Sequence, residues 1–275
     1  MLAPLVAAAL LAQSVSVTAG VSASSAPTRF RFENPSTFNT AELVPHFFEQ
    51  KYDLPSLALW AQASYGGPAR NASTRISLRP RRNTRGSDID IFFQPSGDVV
   101  TSGTDGPITF GGFAIDQRLA VTTLRGWQIG AQLGYQRDRS EFLPDDRVVT
   151  HTQPSSVTRT FITDRETTIA QIMRVGASAR RERVVEHWRS RLDVGIQPVV
   201  GARLLIRLPD KYPGVDLIYS GLSVGSGASW TLEHGGSRWR AGVTLSASGA
   251  WGYRRSATYA AHQLGVEFFV GSGPG

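Results

Sequence analysis

The residues 127–136, WQIGAQLGYQ, alternate without a break: Trp127, Ile129, Ala131, Leu133 and Tyr135 on one face, Gln128, Gly130, Gln132, Gly134 and Gln136 on the other. Successive side chains of an extended chain point to opposite sides, so this run reads as a strand with one oily and one polar face. The pattern returns in WRSRLDVGIQ (188–197), where Trp188, Leu192, Val194 and Ile196 oppose Arg189, Arg191, Asp193, Gly195 and Gln197. It returns again at 239–247, with Trp239, Ala241, Val243 and Leu245 against Arg240, Gly242, Thr244 and Ser246. A soluble sandwich turns such an apolar face inward, whereas a membrane barrel turns it out to lipid and lines its interior with the polar face.

Three features favour the barrel. Trp127, Tyr135, Trp188, Trp239 and Tyr253 stand near strand ends on the apolar face, where aromatic rings meet lipid headgroups. The segments run to about ten residues, the length of a tilted membrane strand and roughly twice that of a soluble one. The polar faces carry small residues beside large charged ones, as a filled lumen requires. A sheet in hydrocarbon must also close, since an open edge would leave backbone groups unpaired. The predicted fold is therefore all-β, a closed antiparallel up-and-down transmembrane barrel of about ten strands. The strands are placed at 14–23, 56–65, 72–93 (irregular near Pro80), 107–123, 126–140, 161–179, 184–205, 215–232, 237–252 and 257–270. Periplasmic turns are expected at 66–70, 124–126, 179–183 and 233–237, and outer connections at 24–55, 94–106, 141–160, 206–214 and 253–256.

Residues 1–13 resemble the apolar core of a secretory signal, without its basic start, and 14–275 then form one domain in a Gram-negative outer membrane. Cysteine is absent, which excludes thiol catalysis, disulfides and thiolate metal sites. The net charge of +7 comes almost wholly from dispersed arginine, Lys51 and Lys211 being the two lysines, so nucleic acid is not an expected partner. Neither a cofactor nor a metal is called for, and a monomer is expected.

With the apolar faces outward, Asp88, Asp90, Asp116, Arg118, Arg174, Arg189, Arg191, Asp193, Arg238, Arg240 and Glu267 face inward, most of them as a lumen-filling network. Asp88 and Asp90 stand apart, near the outer end of a long strand. Same-face carboxylates about 7 Å apart perturb each other's pKa and can hold a water, a cation or neighbouring arginines. At the rim, Arg79, Arg81 and Arg82 are candidates for lipopolysaccharide phosphates, which guanidinium forks fit.

Several stretches, taken in order, resemble the omptin family of outer-membrane barrels: SVSVTAGVSASSAPTRFRF, STRISLRPRRNTRGSDIDIFF, WQIGAQLGYQRDRSEF and SVGSGASWTLEHGGSRWRAGVTLSASGAW. That resemblance implies ten strands rising above the bilayer, with a proteolytic cleft in which an aspartate pair faces an Asp-His pair across an activated water. Asp88 and Asp90 match the first pair. In the loop RLPDKYPGVD, Asp210 takes the second aspartate position, and Tyr212 stands where the family has histidine. A phenol with pKa near 10 does not replace an imidazole at neutral pH. His46 and His151 read as outer-loop residues, His187 and His234 as periplasmic ones, and His262 follows the lipid-facing parity. No Gly-x-Ser-x-Gly elbow, His-Glu-x-x-His or P-loop is present. Three functions stay open: a surface endopeptidase for basic peptides with Asp88, Asp90 and Asp210 at its centre, an adhesin or structural barrel, and a narrow channel.

Overall fold

The computed structural model describes residues 15–25, 27–36, 44–53, 56–66, 71–93, 96–143, 145–161, 165–208, 212–219, 222–236, 238–254 and 257–272. Within these strands the side chains of 27–36, 44–50, 52–53, 56, 88, 90, 92, 161, 166, 168, 199–208, 212–219, 222–223, 250–254, 257–259 and 261 are not described. All the assigned elements are strands: β1 Val15–Ser25, β2 Pro27–Ser36, β3 Val44–Asp53, β4 Ser56–Gly66, β5 Asn71–Phe93, β6 Val99–Leu124, β7 Trp127–Phe142, β8 Asp146–Thr152, β9 Ser155–Phe161, β10 Glu166–Val185, β11 Trp188–Leu208, β12 Tyr212–Tyr219, β13 Leu222–Gly235, β14 Trp239–Arg254 and β15 Ala257–Ser272.

Ten of them close the barrel, in the order β1-β4-β5-β6-β7-β10-β11-β13-β14-β15, with β15 pairing back onto β1. Every pairing is antiparallel, and no edge is left in this ring. Residues 188–197 behave as their alternation requires: Trp188, Leu192, Val194 and Ile196 are exposed, and Arg189, Arg191, Asp193, Gly195 and Gln197 are half-buried. The outer surface carries Leu264 at 68 % exposure, Val270 at 65 % and Ile196 at 58 %, whereas the buried apolar side chains described are few: Ala58, Trp60, Val100, Ile108, Ala120, Phe142 and Phe269. A soluble sandwich of this length would reverse those two sets. The apolar belt has hydrocarbon as its natural solvent.

The polar faces fill the lumen. Arg118 of β6 reaches Asp193 of β11 at 2.5 Å, past two intervening strands, and Arg180 and Arg191 hold the same carboxylate at 2.7 and 3.0 Å. Arg75 of β5 makes a bidentate pair with Glu267 of β15 (3.0 and 2.7 Å), and its guanidinium lies 4.2 Å from the centre of the buried Trp60 ring. Trp60 in turn meets Phe269. Gly20 allows this contact, since a Cβ there would come within 2.8 Å of Trp60 and 2.9 Å of Phe269. Toward the short-turn end, Glu233 takes Arg189 and Arg240, and Arg240 also donates to Thr18. These links tie non-adjacent strands together across the interior.

Some sequence expectations need correction. Residues 179–183 are strand, and the turn lies at Glu186 and His187, with Glu186 at φ 53°. The strand continues because Arg180 is held in the lumen by Asp193 and Glu182 meets Arg189 of β11. Arg238 is exposed in the turn before β14, outside the lumen. The segments 24–55 and 141–160 are not plain loops, since they contain the hairpins β2–β3 and β8–β9, and β6 already begins at Val99. The irregularity expected near Pro80 is a register shift between Arg79 and Arg82. By inserting one extra residue, the bulge switches the inward parity of β5 from odd to even positions.

Candidate functional site

The bulge decides what stands above the barrel. Below it, Arg75 pairs with Asp116 of β6 and Arg79 with Gly112; above it, Asp88 is set opposite Thr104 and Asp90 opposite Ser102. All four partners are even-numbered residues of β6, on the face that also carries the buried Arg118. On the far side of β5, Gln50 and Phe48 of β3 stand opposite Asp88 and Asp90. The pairings β2–β3, β3–β5, β5–β6, β6–β8 and β8–β9 make one six-stranded sheet, a continuation of the wall above the rows where β4 and β7 stop. On the same face of β8, Arg147 lies in the row of Thr104, Val149 in that of Ser102 and His151 in that of Val100. Asp210 lies outside the described residues, between β11 and β12, and Tyr212 opens β12 opposite Leu208.

Of the arginines read as rim residues, Arg79 turns into the lumen, where its guanidinium sits 2.6 Å from Asp138 as an ion pair. Arg81 and Arg82 are exposed. Arg81 approaches Glu141 at 3.2 Å, and Arg139 and Arg165 share that carboxylate at 2.7 and 3.6 Å. Three guanidinium groups on one carboxylate leave a cationic surplus beside the top of β7.

A second cluster, which the sequence reading did not single out, locks the outer sheet. Asp98, buried in the turn before β6, accepts hydrogen bonds from the Thr152 and Gln153 backbone N–H groups (both 2.8 Å) and the Thr152 hydroxyl (3.0 Å). Its other oxygen meets His151 Nδ1 at 2.9 Å. The His151 contact, reinforced by the Gln153 and Thr152 backbone donors, holds the Asp98 carboxyl well below the usual carboxylate range. This is a clamp between the β5–β6 turn and the tip of the β8–β9 hairpin. The four ligating positions lie in two segments more than fifty residues apart, Asp98 and 151–153, so no local motif announces them.

His46 stands opposite Phe92 in the β3–β5 ladder, in this same outer sheet, with its side chain outside the described ones. The remaining histidines lie elsewhere. His187 and His234 stack near Trp188 and Trp239 at the short-turn end, and His262 is exposed on β15. Among the described residues no three His, Asp or Glu side chains gather as metal ligands.

No family model and no curated protein sequence matches this chain. Among solved structures, the fold is similar to the outer membrane protease OmpT of Escherichia coli, with a TM-score of 0.65 and 8 % identity over 95 % of this chain and 97 % of that one. Looser matches include the translocator domain of the autotransporter NalP from Neisseria meningitidis (TM-score 0.36, 9 % identity, 97 % and 92 % covered). The attachment invasion locus protein Ail of Yersinia pestis matches at TM-score 0.28 and 9 % identity, with 93 % and 97 % covered. At these identities the likeness is one of fold alone, and the outer membrane protease carries it.

Proposed function

We propose that this chain is an outer-membrane barrel of omptin-like architecture that works at the cell surface, taking basic peptides in a cleft at Asp88 and Asp90. The carrying observation is the six-stranded sheet above the closed ring, with the backbone of Asp88 and Asp90 near its middle. A charge-crossed lumen argues against a pore, since Arg118–Asp193 and Arg75–Glu267 span the interior. Two carboxylates on one strand face attract guanidinium or ammonium groups whether or not hydrolysis follows. Asp210 would complete the acidic lining from the β11–β12 hairpin. Hydrolysis needs a base as well, and Tyr212 does not supply one at neutral pH. Binding is thus the primary activity in this reading.

The test is a fluorescent arginine-rich peptide titrated against the protein in detergent micelles, with its integrity followed by mass spectrometry. Saturable binding that Asp88→Ala and Asp90→Ala abolish is expected. Binding indifferent to both substitutions would refute the site, and cleavage lost in Asp88→Ala would extend it to an endopeptidase.

The surplus around Glu141 favours a second contact, with lipopolysaccharide. Arg81, Arg139 and Arg165 are each more than half exposed, and their spare donors suit phosphate oxygens. Lipid A phosphate would compete with Glu141 there. An unchanged lipopolysaccharide affinity in Arg139→Gln with Arg165→Gln would remove this contact.

A further inference from the structure

Every strand of the closed ring has two neighbours, but among the described residues β9 and β12 have one each. The pairing of β9 with β8 runs from Ser155 to Phe161, and among the described residues its other edge meets no strand. The cause lies in chain lengths: β11 pairs with β10 up to Arg207 opposite Thr167, then turns back toward β12, while β9 continues upward beyond that level. An edge strand turns every second N–H and C=O away from its sheet, and proteins usually blunt such an edge with charged side chains, proline, a bulge or a cover. β9, of sequence SSVTRTF, has Arg159 as its one charge and no proline, and residues 155–160 are all exposed. The Asp98 clamp meanwhile fixes the hairpin that presents it.

We propose that β9 accepts an extended peptide from a partner protein as an added antiparallel strand, independently of any ligand at Asp88 and Asp90. The face bearing Val157 and Arg159 sets the side-chain preference. Val157 is 68 % exposed, and Arg159 is exposed to the same extent while spending its Nε on Asp146 at 3.0 Å. The terminal nitrogens of that guanidinium remain for a second carboxylate. An added strand therefore fits best with an acidic side chain beside Arg159 and an aliphatic one two residues away, beside Val157. Its opposite face meets the hydroxyls of Ser156, Thr158 and Thr160.

The β9 strand of a second copy in the same membrane cannot be the added strand. Two copies in one bilayer are related by an axis along the membrane normal. An antiparallel pair made by a strand and its own copy has its two-fold axis perpendicular to the sheet, which for a barrel wall lies in the membrane plane, so one copy would be inverted. Parallel pairing puts the axis along the strand, and barrel strands tilt about 35–45° from the normal. The occupant is consequently not β9 of a neighbouring copy.

The probe is a fluorescent peptide as long as β9, alternating threonine with valine, glutamate and valine, titrated by anisotropy against the full chain in micelles. Three comparisons accompany it: the peptide N-methylated at alternate residues, the peptide with lysine for glutamate, and the Arg159→Glu and Thr158→Pro variants. Heat-dependent gel mobility verifies that each variant keeps its barrel. Saturable binding is expected, weakened at least tenfold by N-methylation, and the Arg159→Glu protein should prefer the lysine peptide. Absence of binding, or binding that N-methylation and Arg159→Glu leave unchanged, overturns the proposal.

Discussion

Removing the carboxylate of Asp193 should destabilise the barrel more than any other single lumen substitution at that level. Asp193 neutralises Arg118, Arg180 and Arg191, whose side chains are only 9, 16 and 20 % exposed. In Asp193→Asn three guanidinium groups would share a poorly hydrated space with no counter-charge among themselves. Breaking one buried pair by deleting a partner costs about 3–5 kcal/mol. At this low exposure solvent screening recovers little of it, unlike the case of surface pairs. The assay is reversible urea unfolding in detergent, followed by intrinsic tryptophan fluorescence. With a slope of about 2–3 kcal/mol per molar, the midpoint should fall by roughly 1–2 M. Replacing Arg118 and Arg180 by methionine in the same chain should restore most of the loss, because the uncompensated charge disappears with its owners. A loss below about 1 kcal/mol for Asp193→Asn, or additive losses in the triple variant, would refute the reasoning that this network is a mutually dependent lumen filling.

Further outcomes follow from other parts of the wall. Asp98→Ala should free the β8–β9 hairpin for proteolysis between 145 and 165 while barrel unfolding stays unchanged. Since the Asp98 carboxyl is held below its ordinary range, its contribution to hairpin docking is complete above the unfolded carboxylate pKa and is lost only as pH falls through the lower folded value. The protection factors of amides in 146–161, corrected for intrinsic exchange, should accordingly be insensitive to mild acid. Gly20→Val should cost about 1–3 kcal/mol by driving a side chain into Trp60 and Phe269, read as a lowered urea midpoint. Planar-bilayer recordings should show no steady large conductance, since ion pairs cross the interior.

The wall was legible because lipid imposes a strict rule on each residue separately: Trp188, Leu192, Val194 and Ile196 declare their face without reference to any partner. Pro80 announced the bulge for a similarly local reason, a missing backbone donor in a long strand. The lumen was legible as charge but not as pairs. Arg118 and Asp193 are 75 residues apart, and only the register of the strands between them determines that they meet. Register likewise sends Arg79 to Asp138, where the sequence suggested a rim cation beside Arg81 and Arg82. The turn near 179–183 was misplaced because charge in ARRER mimics a loop, while Arg180 serves the interior. The acidic pair Asp88 and Asp90 was legible as a same-face motif, and its row partners Thr104 and Ser102 became known only through the ladder. Asp98 and His151 were missed as a unit because both segments read as loop, where neighbours in space have no periodic signature.

The account rests on which side of the wall meets hydrocarbon, and the absence of cysteine makes that directly measurable. Single cysteines at 192 and 194 to 197, spin-labelled and reconstituted in lipid, report contact with oxygen, which concentrates in the bilayer, against a water-soluble nickel chelate. Labels at Leu192, Val194 and Ile196 should be rich in oxygen collisions and those at Gly195 and Gln197 poor, with a period of two. A flat profile, or one with the two sets exchanged, would contradict the fold's orientation and everything built upon it.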